Sequence, residues 1–165
     1  MTRWRPPAPR AAPYITAAGF RALESEAKAL WDRRHEVVRH LAAAAAEGDR
    51  SENAEYQYRK KELREIDRRI GYLQRRMPRL KVVSELPEDR SRVFFGATVE
   101  LEDAGGELRR LRIVGSDEAA PSAGAISLDS PVAKRLLGRA LDDEVDLEGL
   151  GRMVVVAIDY ADPAG

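Results

Sequence analysis

The chain has 165 residues, enough for one ordinary domain or for a small domain plus an extended element. An apolar fraction of 44% excludes a disordered chain, and a charged fraction of 34% suits a structure with much surface per core residue. The lack of cysteine excludes disulfides, cysteine-rich zinc sites and thiol catalysis, and only two histidines, His35 and His40, are available for a histidine metal site. No apolar run approaches the roughly 20 residues that span a bilayer, and the start of the chain has no signal-peptide core, so a cytoplasmic protein without a membrane partner is expected.

The formal net charge of zero conceals two unequal halves. Residues 1–81 carry 19 Lys and Arg against 11 Asp and Glu, whereas residues 82–165 carry 9 against 17. Such asymmetry points to two parts that face different partners.

In chain order, residues 1–13 come first. Four prolines and three arginines within 2–13 block helix and central strand, which predicts an extended, flexible arm. Residues 14–83 read as a helical hairpin. Tyr14, Ile15 and Thr16 are expected to open the first helix, with Thr16 as its N-cap. Apolar positions then recur at Phe20, Leu23, Ala27, Leu30, Val37, Leu41 and Ala44, a heptad seam. The run at 41–46 (LAAAAA) keeps helix propensity high while thinning the side chains, and Gly48 suits the left-handed position that ends a helix. A second helix is expected over about 51–82, with seam positions Tyr56, Leu63, Ile66, Ile70, Leu73, Met77 and Leu80. Two helices of about 30 residues joined by so short a turn fold back as an antiparallel coiled coil, each arm about 45 Å long.

Residues 84–165 read as a small antiparallel α+β domain. Strands are predicted at 93–100, 108–114, 125–128, 144–147 and 153–160, with a turn cluster at Asp103, Ala104, Gly105 and Gly106. A short helix over 132–137 is capped by Ser130, has Pro131 at its first position and ends at Gly138.

The hairpin turn carries Asp49, Glu52 and Glu55, three carboxylates within seven residues. Oxygen ligands of this kind suit Mg²⁺, which takes one or two carboxylates together with water and phosphate, so an exposed tip could complete a metal site held mainly by another molecule. Asp49 and Glu52 equally match a capping box at a helix N-terminus, and the spacing leaves both readings open. The second helix holds ten basic residues between Tyr56 and Lys81 against three acids. That excess fits attraction to a nucleic acid backbone, and partial pairing with acids of the first helix is the alternative. The second half offers no nucleophile–base–orienter set, no glycine-rich phosphate loop and no histidine, so docking is a better role for it than catalysis.

The segment 48–58 (GDRSENAEYQY), continued through 60–69 (KKELREIDRR), closely resembles the Gre transcript-cleavage factors, the GreB branch in particular. The likeness extends to 93–97 (VFFGA), 112–115 (RIVG) and 126–133 (ISLDSPVA), covering about 14–162 in order. The proline-rich arm before Tyr14 lies outside the family's usual pattern. The resemblance implies an N-terminal coiled coil, a C-terminal FKBP-like domain, bacterial RNA polymerase as partner and a monomeric accessory factor that is not itself an enzyme. It implies that the coiled coil descends the polymerase secondary channel, where Asp49 and Glu52 help hold a Mg²⁺ shared with the polymerase while the backtracked nascent RNA 3′ end is cleaved. It further implies that a basic face comprising Arg59, Lys60, Lys61, Arg64, Arg68 and Arg69 meets RNA or the channel wall, and that Asp129, Ser130 and Pro131 dock on the polymerase. Two alternatives remain: a channel-binding paralogue that inhibits, and an FKBP-type prolyl isomerase with a helical arm. Few aromatics follow residue 82 (Phe94, Phe95 and Tyr160), which counts against the isomerase.

Overall fold

The computed structural model describes residues 10–47 and 54–161. Contacts divide the chain into two compact units: one is Phe20–Leu80, and the other joins the segment before it to everything from Lys81 onward.

Residues 14–16 do not open the first helix. They form strand β1 (Tyr14–Thr16), which pairs in parallel with β2 (Lys81–Val83) in the register Tyr14↔Lys81, Ile15↔Val82 and Thr16↔Val83. Tyr, Ile and Thr all fit a pleated, half-buried surface, and Ile15 is fully buried here. Helix α1 (Ala17–Ala46) begins one residue later, and the Thr16 hydroxyl accepts from the Gly19 amide at 3.0 Å, as expected of an N-cap. The end of the proline-rich arm is also tied down. Lys81 donates its backbone amide to the Pro13 carbonyl at 2.6 Å, and Ala12 donates to the Asp129 carboxylate at 2.9 Å.

Helix α2 (Ala54–Arg76) stops well before residue 82, and a 3₁₀ turn (Met77–Arg79) follows it. Pro78 explains the difference: it has no amide to donate to the preceding turn and its ring crowds that turn, so the α-helical ladder ends and a 3₁₀ turn takes over. The topology agrees, since parallel strands cannot be joined by a tight turn and α1 with α2 supplies the crossover between β1 and β2.

Within the helical unit the predicted seam forms. Val37, Ile66 and Ile70 are buried together, flanked by Leu30, Leu41 and Leu63, and Leu23 and Leu73 are buried as well. The partners fix the direction of pairing: Glu26 meets Arg69, Arg33 meets Glu62, and Arg34 meets Asp67. From Glu26–Arg69 to either of the other two pairs the residue number rises on α1 and falls on α2, so the helices are antiparallel.

The second unit holds a five-stranded sheet with the order β5 (Ala125–Ser127), β4 (Leu108–Val114), β3 (Ala97–Asp103), β7 (Gly151–Tyr160) and β6 (Glu144–Leu147). Neighbouring strands are antiparallel except β4 and β5, whose parallel register Arg112↔Ala125 makes the sheet mixed rather than wholly antiparallel. β3 starts at residue 97 instead of 93 because Gly96 turns left-handed at φ 86°, which no strand residue adopts. The β3–β4 connection is the predicted turn: the Asp103 carboxylate accepts from the Gly105 and Glu107 amides at 2.8 and 2.9 Å. The short helix α3 (Pro131–Leu136) lays Ala133 and Leu136 onto a core of Val99, Leu101, Ile113, Leu147, Met153 and Val155.

Candidate functional site

α1 and α2 spend their apolar stripe on each other, which leaves their outer faces to polar side chains. On α2, Lys60, Lys61, Arg64, Arg68 and Arg75 fall within an arc of about 100° at 3.6 residues per turn, away from the seam residues Ile66, Ile70 and Leu73. All five are exposed, and among the described residues none forms an ion pair. This arc carries cationic charge that the described residues of the hairpin do not pair.

Two of the six predicted basic residues have other partners. Arg69 forks onto Glu26 of α1, with 2.6 and 3.0 Å contacts, and its guanidinium also lies 5.2 Å from the Tyr72 ring. Arg59 sits between Glu62 at 3.2 Å and Glu55 at 3.9 Å. The sequence reading of one uniform face therefore divides: Lys60, Lys61, Arg64 and Arg68 stay together, while Arg59 and Arg69 belong to ion pairs of the hairpin. These pairs leave an electrostatic mark. The Arg69 hydrogen bond holds the Glu26 carboxyl below its ordinary range, and the Arg33 hydrogen bond, helped by Arg59, does the same to Glu62.

Asp49 and Glu52 lie outside the described residues. By sequence they fall in the connection between α1 and α2, and the antiparallel register brings those two helix ends to the same end of the pair. Among the described residues no group of three metal-ligating side chains converges.

Asp129, Ser130 and Pro131 are brought together in one fixed corner between β5 and α3. Ser130 caps α3, its hydroxyl accepting from the Ala133 amide at 3.2 Å, and Pro131 occupies the first helical turn and is exposed. The Asp129 amide donates to the Ser127 hydroxyl at 3.1 Å, while its carboxylate takes the Ala12 amide. Sequence reasoning missed that last contact, and it missed Glu118, whose carboxylate accepts from the Thr16 amide at 2.9 Å and the Thr16 hydroxyl at 3.1 Å. Neither partner has a local signal: each lies more than a hundred residues from the group it holds. A cleft in the same unit is lined by Thr16, Glu85, Leu86, Arg112 and others, with Phe95 and Tyr160 as its only aromatics, which is poor lining for a proline-peptide pocket. Among the described residues no helix is long and apolar enough to cross a membrane.

The described residues thus form an antiparallel helical pair whose cationic arc has no ion-pair partner among them, followed by a small α+β domain. Residues 13–82 match the family described as "Transcription elongation factor, N-terminal", and residues 87–160 match "Transcription elongation factor, GreA/GreB, C-term". The protein named transcription elongation factor GreB from Xanthomonas axonopodis is 58% identical over 98% of this chain and 99% of its own, and its namesake from Pseudomonas aeruginosa is 52% identical over 97% and 98%. The solved GreA factor homolog 1 of Thermus thermophilus is 27% identical over 91% of this chain and 99% of its own, with a TM-score of 0.42. The chain belongs to the Gre family of transcription elongation factors and is similar to the members named GreB. It is accordingly an accessory factor and not an enzyme in its own right.

Proposed function

We propose that this elongation factor acts in the cytoplasm, as a monomer, on bacterial RNA polymerase. It inserts the α1–α2 hairpin through the secondary channel and stimulates Mg²⁺-dependent cleavage of backtracked nascent RNA, so that arrested complexes regain a usable 3′ end. The observation that carries this reading is the exposed cationic arc of Lys60, Lys61, Arg64 and Arg68, which has no acidic partner among the described residues and suits an RNA backbone or an acidic channel wall. Asp49 and Glu52, in the connection between the helices, would hold a Mg²⁺ jointly with the polymerase; when bound, that ion would supply a positioned water. Neither acid could hold the ion alone, which accords with an accessory role. The corner of Asp129, Ser130 and Pro131 would dock on the polymerase surface.

The test uses halted, backtracked complexes of the cognate polymerase. Asp49→Asn and Glu52→Gln are expected to lower stimulated release of short 3′ RNA fragments by about a hundredfold or more, the scale for losing one preorganised charge-stabilising group, while binding persists. If both variants cleave as well as the native protein, the acids are only helix caps and the proposed mechanism fails.

A further inference from the structure

The segment 12–16 lies between two carboxylates of the α+β unit. Asp129 Oδ2 accepts from the Ala12 amide at 2.9 Å, and Glu118 Oε2 accepts from the Thr16 amide at 2.9 Å. Between these anchors the strand is held by its own backbone: Pro13 accepts from Lys81, Ile15 is fully buried, and a Cβ on Gly115 would lie 2.1 Å from the Tyr14 carbonyl oxygen. The N-terminal segment is thus a fixed part of the domain by the time it reaches Ala12, and there it meets a side chain of the corner assigned to docking.

We propose that the backbone amide of Ala12 is a positioning group for polymerase docking: it holds the Asp129 carboxylate in the orientation that the partner reads. The inference rests on the docking role assigned above to Asp129, Ser130 and Pro131. The corner's other members are already fixed, the Asp129 amide by Ser127 and the Ser130 hydroxyl by the start of α3. The Asp129 side chain is half-buried, and without Ala12 it would keep its rotamer freedom. A carboxylate with one oxygen occupied by a backbone amide offers the other in a single direction, which favours a guanidinium or ammonium group of stated position on the partner. The arm preceding residue 13 acquires a role through its last residues.

The experiment is a double-mutant cycle on the full-length protein, read as the concentration giving half-maximal cleavage of backtracked complexes and as the maximal rate at saturation. Ala12→Pro removes the amide hydrogen within an extended segment already followed by Pro13; Ala12→Gly keeps it. Ala12→Pro is expected to raise the half-maximal concentration about tenfold, the scale of one hydrogen bond to a charged group, with an unchanged maximal rate. Ala12→Gly should match the native protein, and Ala12→Pro combined with Asp129→Ala should be no weaker than Asp129→Ala alone. Melting temperatures identify any variant that has lost strand β1, and for such a variant removal of residues 1–12 replaces Ala12→Pro in the cycle. Native-like binding by Ala12→Pro beside a weakened Asp129→Ala overturns the inference and leaves the docking corner standing; strictly additive losses also overturn it. Native-like binding by Asp129→Ala removes the docking assignment itself.

Discussion

In the hairpin, the buried side chains are Leu23 and Val37 of α1 with Ile66, Ile70 and Leu73 of α2, a single file between two helices. In the α+β unit, eleven buried side chains close on one another around the sheet and α3. The hairpin supplements its thin seam with charge pairs that cross from helix to helix, whereas no charged side chain is fully buried in either unit among the described residues. A file of contacts tolerates surface change because each residue touches few others, while a closed core transmits every change of volume to many neighbours. The region that carries the proposed chemistry is therefore the one whose exterior is least committed to folding.

The sharpest way to break this contrast is to open a cavity in each region. Leu101→Ala, at a fully buried position of β3, is expected to cost about 2–5 kcal/mol and to lower the melting of the sheet while the helical circular-dichroism signal persists. Loss of both signals together would show that the two units do not melt separately. Ile70→Ala in the seam should fall near the low end of that range, about 2 kcal/mol, because a narrow file relaxes into the gap more readily. Equal costs for the two substitutions in urea titrations would erase the distinction between file and core.

Smaller effects probe the charges. Glu26→Gln should destabilise the hairpin by at most about 1 kcal/mol, since Arg69 and Glu26 are both well exposed to solvent and screened by it. The pH dependence has a definite sign. Glu26 and Glu62 have folded-state pKa values held below their ordinary ones, so their contribution is present above about pH 4.3 and is lost as pH falls through the depressed values. Thermal melts of the hairpin should thus decline on acidification below that point, and less so in Glu26→Gln. The smallest change in stability, within about 0.5 kcal/mol, is expected for charge reversal at Lys60, Lys61, Arg64 and Arg68 together, because none has an ion-pair partner to lose among the described residues. The same variant should act about tenfold less well on complexes with long extruded RNA, with a shallower salt dependence. A large drop in melting temperature would return those four residues to a structural role.

Most of the architecture was legible because it rests on local patterns. The heptad seam, the Ser130 cap with Pro131, the β3–β4 turn at Asp103 and strands β4 and β6 are all written in spacings of a few residues. What escaped was non-local. Tyr14–Thr16 resembles a helix start until Lys81–Val83 is available as its partner, 67 positions later in the register. The division of the basic residues depended on where Glu26 lies across the hairpin, and a single helix cannot reveal that. The end of α2 is a different case: Pro78 was a local signal, outweighed by a seam pattern that continues to Leu80. The proposed role of Asp49 and Glu52 comes from the family likeness, since spacing alone leaves them between cap and ligand.

The parallel pairing of β1 with β2 has a consequence for reach. Because the strands are parallel, the chain leaves β1 at Thr16, opposite Val83, and re-enters β2 at Lys81, opposite Tyr14, an offset of two residues along the strands that the register fixes however many residues lie between. Adding one heptad to each helix would lengthen the pair by about 10 Å while asking nothing new of the β1–β2 register. The length of the helical pair is in that sense set by counting heptads, independently of the two strands that its ends join.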